Sequence, residues 1–301
     1  MMEIRKPDSY AEAAEFIAKM NKKKSSHTGY CGTEADEVLH TLENDFSDFP
    51  LDDSLIAAYK DGELVGLLGI DGDEDQKTGE LWGPFIDIPE WEDTAVKMWD
   101  KLVSQLAGKI EKAFGFYNIA NAECELFMEM GAAVKNREDV ILRITREDIR
   151  TTNQPAIEEI SEPYYKDFQQ LHEESFKNAY YTAAEILEKS DEYNKTIIEI
   201  KNGKMAGYVY CEARPDFSEG DIHFIAVSPS GRNQGTGRKL INHALSYLFS
   251  FKEITNIILC VDAGNKAALK VYGSSGFSEQ HRLNFYTLDF KKIEAVKAGQ
   301  L

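Results

Sequence analysis

The sequence predicts an α/β protein made of two tandem copies of one domain, each a mixed sheet carrying helices. Three observations predict it. Apolar runs of strand length alternate with segments whose apolar residues recur at helical spacing. The order of these elements occurs twice, and short stretches match: Lys201-Asn202-Gly203-Lys204-Met205-Ala206-Gly207 answers Lys60-Asp61-Gly62-Glu63-Leu64-Val65-Gly66. A strand ends on Pro89 in one copy and on Pro229 in the other, and a length of 301 residues suits two domains better than one. The expected division is 1–149 and 155–301, with a polar linker near Arg150 to Gln154.

In the first copy, residues 2–7 suit a short strand and Ser9 caps a helix with Ala11, Ala14, Phe16, Ile17 and Met20. Thr33 to Leu42 reads as a second helix. Leu55 to Tyr59 and Leu64 to Ile70 flank an Asp-Gly turn and form a hairpin. Glu80 to Ile88 supplies a third strand, Ala95 to Leu106 a helix, Phe114 to Ile119 a strand, Glu123 to Met130 a helix and Asp139 to Ile144 a closing strand. The second copy repeats this with Ala156–Ile160 as strand, Pro163–Phe176 and Thr182–Lys189 as helices, and a hairpin of Thr196–Ile200 with Met205–Cys211.

Composition excludes several classes of function. A net charge of −18 argues against nucleic acid as partner. No run of 18 apolar residues exists and the N-terminus lacks the apolar core of a signal peptide, so no membrane is expected and the expected compartment is the cytoplasm. Cys31, Cys124, Cys211 and Cys260 lack paired spacing, as reduced thiols do, and the six histidines show no zinc-type spacing, so no metal is expected. Through Arg150 there are 17 basic and 32 acidic residues, a net of −15; the remainder has 17 and 20, a net of −3. A solubilising surface explains this plainly, and steering of a cationic acceptor explains it more sharply.

The stretch Asp221 to Leu240 carries the chemistry. A run of apolar, β-branched and aromatic residues with Asp221 and His223 among them reads as a strand; Ser228-Pro229-Ser230 breaks it; a glycine-rich loop follows; and from Arg238 apolar residues recur at helical spacing. Strand, loop and helix in that order aim backbone N–H groups and the positive helix end at one point, which suits phosphate. A dinucleotide fingerprint fails because position 240 is Leu, and a nucleoside-triphosphate loop fails because position 236 is Thr. What remains is Arg232-x-x-Gly235-x-Gly237 after a strand ending in Ala226-Val227. A second pattern follows the apolar run Ile257–Val261: Asn265-x-x-Ala268-x-x-x-Tyr272-x-x-x-Gly276-Phe277.

Together these two patterns resemble the GNAT acetyltransferases over residues from about 155 to 290. The resemblance implies two tandem GNAT-like acyl-CoA N-acyltransferase domains and acetyl-CoA as co-substrate. It implies that coenzyme A lies along Ile225, Ala226, Val227, Arg232, Asn233, Gln234, Gly235, Thr236, Gly237, Arg238 and Asn265. A splay beside the fourth strand would free backbone at Ala226 and Val227 for the pantetheine arm, with the Val227 N–H as oxyanion donor. Tyr272 is the implied acid for the leaving thiolate. The base is His223, Asp221 or water; alternation puts both side chains on one strand face, and histidine is the natural base near neutrality.

The first copy departs from this pattern. After Pro89 it reads Glu90-Trp91-Glu92-Asp93, with carboxylates where pyrophosphate would lie, and Phe127 stands at the tyrosine position. It resembles a GNAT fold without its cofactor site, expected to pack against the second copy and help wall its acceptor pocket. Mycothiol synthases share this tandem arrangement. The expected function is therefore acetyl transfer from acetyl-CoA to a primary amine, small-molecule or peptide, by the second domain. A non-catalytic acyl-CoA-binding or regulatory tandem protein, and an enzyme for longer acyl chains, are the alternatives. Tyr180 and Tyr181 either line the acceptor pocket or pack beneath a loop.

Overall fold

Turn chemistry and alternation build the hairpins that the sequence announces. The computed structural model describes residues 1–149, 157–177 and 179–290. In chain order these form β1 (Met2–Arg5), α1 (Tyr10–Asn21), α2 (Ala35–Asn44), the single turn α3 (Leu51–Ser54), β2 (Leu55–Lys60), β3 (Glu63–Asp73) and β4 (Thr78–Ile86). Next come α4 (Trp91–Leu106), β5 (Lys112–Asn118), α5 (Ala122–Met130) and β6 (Val134–Thr145). The second half gives α6 (Tyr165–Ser175), α7 (Ala183–Glu188), β7 (Asn194–Lys201), β8 (Lys204–Arg214), β9 (Glu219–Val227), α8 (Thr236–Leu248), β10 (Asn256–Asp262), α9 (Lys266–Ser274) and β11 (Ser278–Asp289). Both hairpin turns, Asp61-Gly62 and Asn202-Gly203, have positive φ at both residues, the geometry that matches strand twist. Among the described residues no helix is long and apolar enough to cross a membrane.

The chain divides into two compact units, Met1–Asp139 with the chain from His281, and Val140–Gln280. Strand order in the first is β1-β2-β3-β4-β5-β11, with β4 and β5 parallel and the other neighbours antiparallel. Alternation sends Leu55, Ala57, Tyr59 and Leu67 to one face against Ala14, Ile17 and Val38 of α1 and α2. Ile56, Ala58, Leu68 and Ile70 go to the other, against Met98, Leu102 and Leu106 of α4. Strand order in the second unit is β6-β10-β9-β8-β7. Phe168 and Leu171 of α6 cover Ile198, Tyr208, Tyr210 and Phe224, while Leu240, Ile241 and Ala244 of α8 cover Ile197, Val209 and Ile222 on the opposite face.

The units are cut inside β6 and β11, not at the linker expected between 149 and 155; residues 150–156 lie outside those described. Val140, Leu142 and Ile144 of β6 belong to the core of the second unit. β11, which the sequence did not announce as a strand, pairs with β5 from Leu283↔Asn118 to Asp289↔Lys112 and completes the first. Periodicity identifies a strand without saying which sheet it joins. The opening strand expected at Ala156–Ile160 is, within the described residues, a single bridge of Glu159 to Ile197. Helix α4 starts at Trp91, a turn before the apolar pattern at Ala95 begins.

Candidate active site

The loop between β9 and α8 is shaped by its glycines. Gly231 has no room for a side chain, since a Cβ there would stand 2.5 Å from the Ala206 carbonyl oxygen. Asn233 and Gly235 are left-handed, with φ of 57° and 75°, and Gly235 caps α8. Thr236 donates its hydroxyl to the Gly231 carbonyl at 2.9 Å, and the Gln234 amide donates to the Ser230 carbonyl at 2.7 Å. With these side chains occupied, the N–H groups of Thr236, Gly237 and Arg238 open the helix without intrahelical acceptors. The first turn of α8 holds no acidic residue, so nothing there opposes an anion at the positive helix end. Arg232 donates its Nε to the Val227 carbonyl at 3.4 Å and is exposed, as is Arg238.

Lys201 joins this loop, which sequence reasoning missed. Its ammonium donates to the Thr236 hydroxyl at 2.9 Å and the Gln234 side chain at 3.2 Å. In the sequence it is the lysine before the Asn202-Gly203 turn, indistinguishable from a solvated hairpin end. It adds a cation beside the helix start.

β9 and β10 part as the resemblance implies. They pair in parallel from Glu219↔Asn256 to Ile222↔Leu259, and β9 then runs on to Val227. Ile225, Ala226 and Val227 therefore border the opening. Tyr272 on α9 is buried, its ring edge-on to Phe277, and its hydroxyl has no hydrogen-bond partner among the described residues. Burial pushes the phenol well above its ordinary range, with the nearby Cys260 thiol adding to the effect, so it is a neutral donor. Asn265 caps α9, accepting from the Ala268 N–H at 3.1 Å. Its carbonyl oxygen is thus taken by the helix, and only its amide end is available to a cofactor.

Asp221 and His223 share a face by plain alternation about Ile222, and a bulge at His223 puts Phe224 on that face as well. The register with β8 steps from Cys211↔Ile222 to Tyr210↔Phe224, leaving His223 as the extra residue. Asp221 sits opposite Glu212, and Glu212 reaches His223, so all three project toward the α6 side. The Asp221 carboxylate accepts from Arg214 Nε at 2.8 Å, and Arg214 also holds Glu219 at 2.5 Å. That ion pair takes up the carboxylate that a base would need. His223 Nε2 lies 3.2 Å from a Glu212 oxygen and Nδ1 lies 2.8 Å from the Tyr180 hydroxyl, while the Tyr210 ring stacks on the imidazole at 5.5 Å. The His223 hydrogen bond holds the Glu212 carboxyl below its ordinary range. Glu212 was missed in the sequence because a carboxylate at the end of an apolar strand reads as a solvated strand end.

The first unit differs at each of these places. Its α4 starts with Glu92 and Asp93 in the first turn. β4 pairs with β5 only from Thr78↔Lys112 to Glu80↔Phe114, and beyond that point the buried Tyr117 donates its hydroxyl to the Gly83 carbonyl. Phe127 is buried in the core, and Asn121 caps α5 as Asn265 caps α9. Opposite one another on β3 and β4 stand Asp71 and Glu80, where β8 and β9 carry Glu212 and Asp221. Among the described residues no group of three or more His, Cys, Asp or Glu is arranged to hold a metal ion.

Comparisons with known proteins bear on this geometry. Residues 154–277 match the Acetyltransferase (GNAT) family. Mycothiol acetyltransferase of Tsukamurella paurometabola is 34% identical over 82 residues, which are 27% of this chain and 28% of that protein. Ribosomal protein bS18-alanine N-acetyltransferase of Escherichia coli K12 is 37% identical over 97 residues, 32% of this chain and 64% of that one. The matched part thus spans less than two thirds of either relative's length. Among solved structures, a GCN5-related N-acetyltransferase from Sphaerobacter thermophilus is similar with a TM-score of 0.72 at 16% identity, over 96% of both chains. A tandem GNAT protein from the clavulanic acid biosynthesis pathway is similar with a TM-score of 0.66 at 12% identity, over 96% of this chain and 99% of that one. At such identities the structural likeness speaks for the fold, and the sequence matches speak for descent. Residues 154–277 thus carry the match to the GNAT acetyltransferases, and the fold over nearly the whole chain is the one that GNAT structures share.

Proposed function

We propose that the protein transfers the acetyl group of acetyl-CoA to a primary amine, and that coenzyme A and the chemistry both belong to the second unit. One observation carries this reading: the loop from Gly231 to Arg238 opens α8 with bare N–H groups and flanking cations, where the first unit presents Glu92 and Asp93. A pyrophosphate is favoured at the one and repelled at the other.

Bound at that loop, acetyl-CoA supplies a thioester carbonyl. The chain's own groups then divide the work. Lys201, Arg232 and Arg238 bring positive charge to the phosphates. The Val227 N–H, at the end of β9 past its last pair with β10, is the donor for the carbonyl oxygen as it gains charge. The amine nitrogen must shed two protons, one before it attacks and one after. His223 takes the first, with the Glu212 carboxylate hydrogen-bonded to its other nitrogen, and Tyr272 gives its proton to the departing sulfur. Tyr272 recovers a proton from the nitrogen as the amide forms, and the first proton leaves His223 for solvent. Asp221 serves the site by holding Arg214.

The test is thiol release from acetyl-CoA in the presence of a panel of primary amines. One relative is named for the alanine of a ribosomal protein, so alanine-initiated peptides belong in that panel. Amine-dependent release is expected; tight coenzyme A binding with no release for any amine would leave the protein a binding module.

A further inference from the structure

Both ring nitrogens of His223 are engaged, and the partners fix which one is basic. An ionised Glu212 can only accept, so Nε2 carries the hydrogen that it receives at 3.2 Å. Nδ1 is then the bare nitrogen, and the Tyr180 hydroxyl donates to it at 2.8 Å. An amine therefore meets Tyr180 before it meets His223. Tyr180 is itself firmly placed. Its ring lies 4.8 Å from Phe224 and 5.0 Å from Tyr181, and the Tyr181 carbonyl is held at 2.9 Å by buried His172. Tyr208 donates to the other nitrogen of His172 at 2.6 Å, and burial keeps that imidazole neutral. Yet Tyr180 is 62% exposed, so its outer side is open to an acceptor.

We propose that Tyr180 is a proton relay between the acceptor amine and His223, with Glu212 as the positioning residue that makes Nδ1 the basic nitrogen. The proposal rests on the acetyltransferase reading above. In the step, the ammonium nitrogen gives one proton to the Tyr180 oxygen while the proton already on that oxygen passes to Nδ1. The phenol is neutral before and after, and the new charge resides on the imidazolium facing Glu212. Nothing is oxidised or reduced. The phenol never needs to ionise, which suits a hydroxyl that desolvation and the charge of Asp221 push far above its ordinary range.

The experiment uses the full chain, acetyl-CoA and an alanine-initiated peptide. Tyr180→Phe keeps the ring packing, and turnover should fall about a hundredfold with little change in KM. In mixed light and heavy water the wild type should give a curved proton inventory, two protons moving together, and Tyr180→Phe a linear one. Nitrogen NMR of the wild type should show hydrogen on Nε2 of His223, a preference that Glu212→Ala should abolish. Undiminished or faster turnover in Tyr180→Phe would make the tyrosine a plug, and an inventory still curved in that variant would also overturn the relay. Hydrogen found on Nδ1 in the wild type would overturn the role of Glu212. Absence of thiol release in the wild type with every amine would instead remove the acetyltransferase reading, and the relay with it.

Discussion

The Tyr117 hydroxyl donates to the Gly83 carbonyl oxygen at 2.8 Å, beyond the point where β4 and β5 cease to pair. The Cys124 thiol lies 3.5 Å from the neighbouring Pro84 carbonyl. Protein groups thus fill, in the first unit, the gap beyond the last β4–β5 pair, where the proposed function puts a pantetheine arm in the second unit. Calorimetry is therefore expected to return one coenzyme A per chain. Gly235→Glu should abolish that binding, because a carboxylate would enter the helix start. Two equivalent sites would contradict this account of the first unit.

Tyr272→Phe removes only a hydroxyl that has no partner among the described residues, so stability should barely change. Turnover should fall on the order of 10²- to 10⁴-fold, the usual loss for a general acid, with coenzyme A affinity nearly unchanged. Single-turnover rates at saturating acetyl-CoA check this; an undiminished chemical step would take Tyr272 out of the reaction.

Glu80 makes stability depend on pH in a definite direction. Its Oε1 is shut from solvent without a partner among the described residues, and burial, then the charge of Asp71, raises the carboxyl well above its ordinary value of 4.5. Asp71 is raised too, chiefly by burial, while Cys31 and Tyr117 share the surroundings. Below 4.5 folded and unfolded chains both hold the proton, and the stabilisation is complete. As pH rises, the unfolded chain releases the proton first, and stability falls until the folded carboxyl also ionises. Glu80→Gln should flatten this slope, with a urea midpoint above wild type at pH 8 and the gap closing toward pH 4.

The hairpins and the loop were legible because each depends on a few neighbouring residues. Asp61-Gly62, Asn202-Gly203 and the run from Arg232 to Gly237 declare their backbone conformations locally. Asn265 and Tyr272 were legible through the spacing of one helix. Glu212 was not, since its importance comes from a bulge at His223 that no periodicity reports. Nor was β11: Ser278 to Arg282 are polar or charged, and only from Leu283 does the strand alternate. The membership of β6 and β11 was invisible for a further reason, because alternation defines faces and leaves partners unspecified.

Separating the halves at the linker should therefore damage both. A fragment of residues 151–301 lacks Val140, Leu142 and Ile144 from its core, and a fragment of residues 1–150 lacks β11. Each is expected to aggregate on size-exclusion chromatography, having uncovered apolar surface and strand edges. In the intact chain, Leu142→Ala should cost about 2–5 kcal/mol in unfolding experiments. A monomeric 151–301 fragment with full activity would refute this.

The place of β11 also sets an order of events on the ribosome. In the first unit, Tyr286 of β11 donates to Glu125 of α5 across 161 residues of chain. Nascent chains ordinarily complete their domains in the order of translation. Here every strand of the second unit's sheet has been translated before β11 exists, whereas the first unit must wait with β5 unpaired on that edge until the last strand emerges. The unit begun first is the unit finished last.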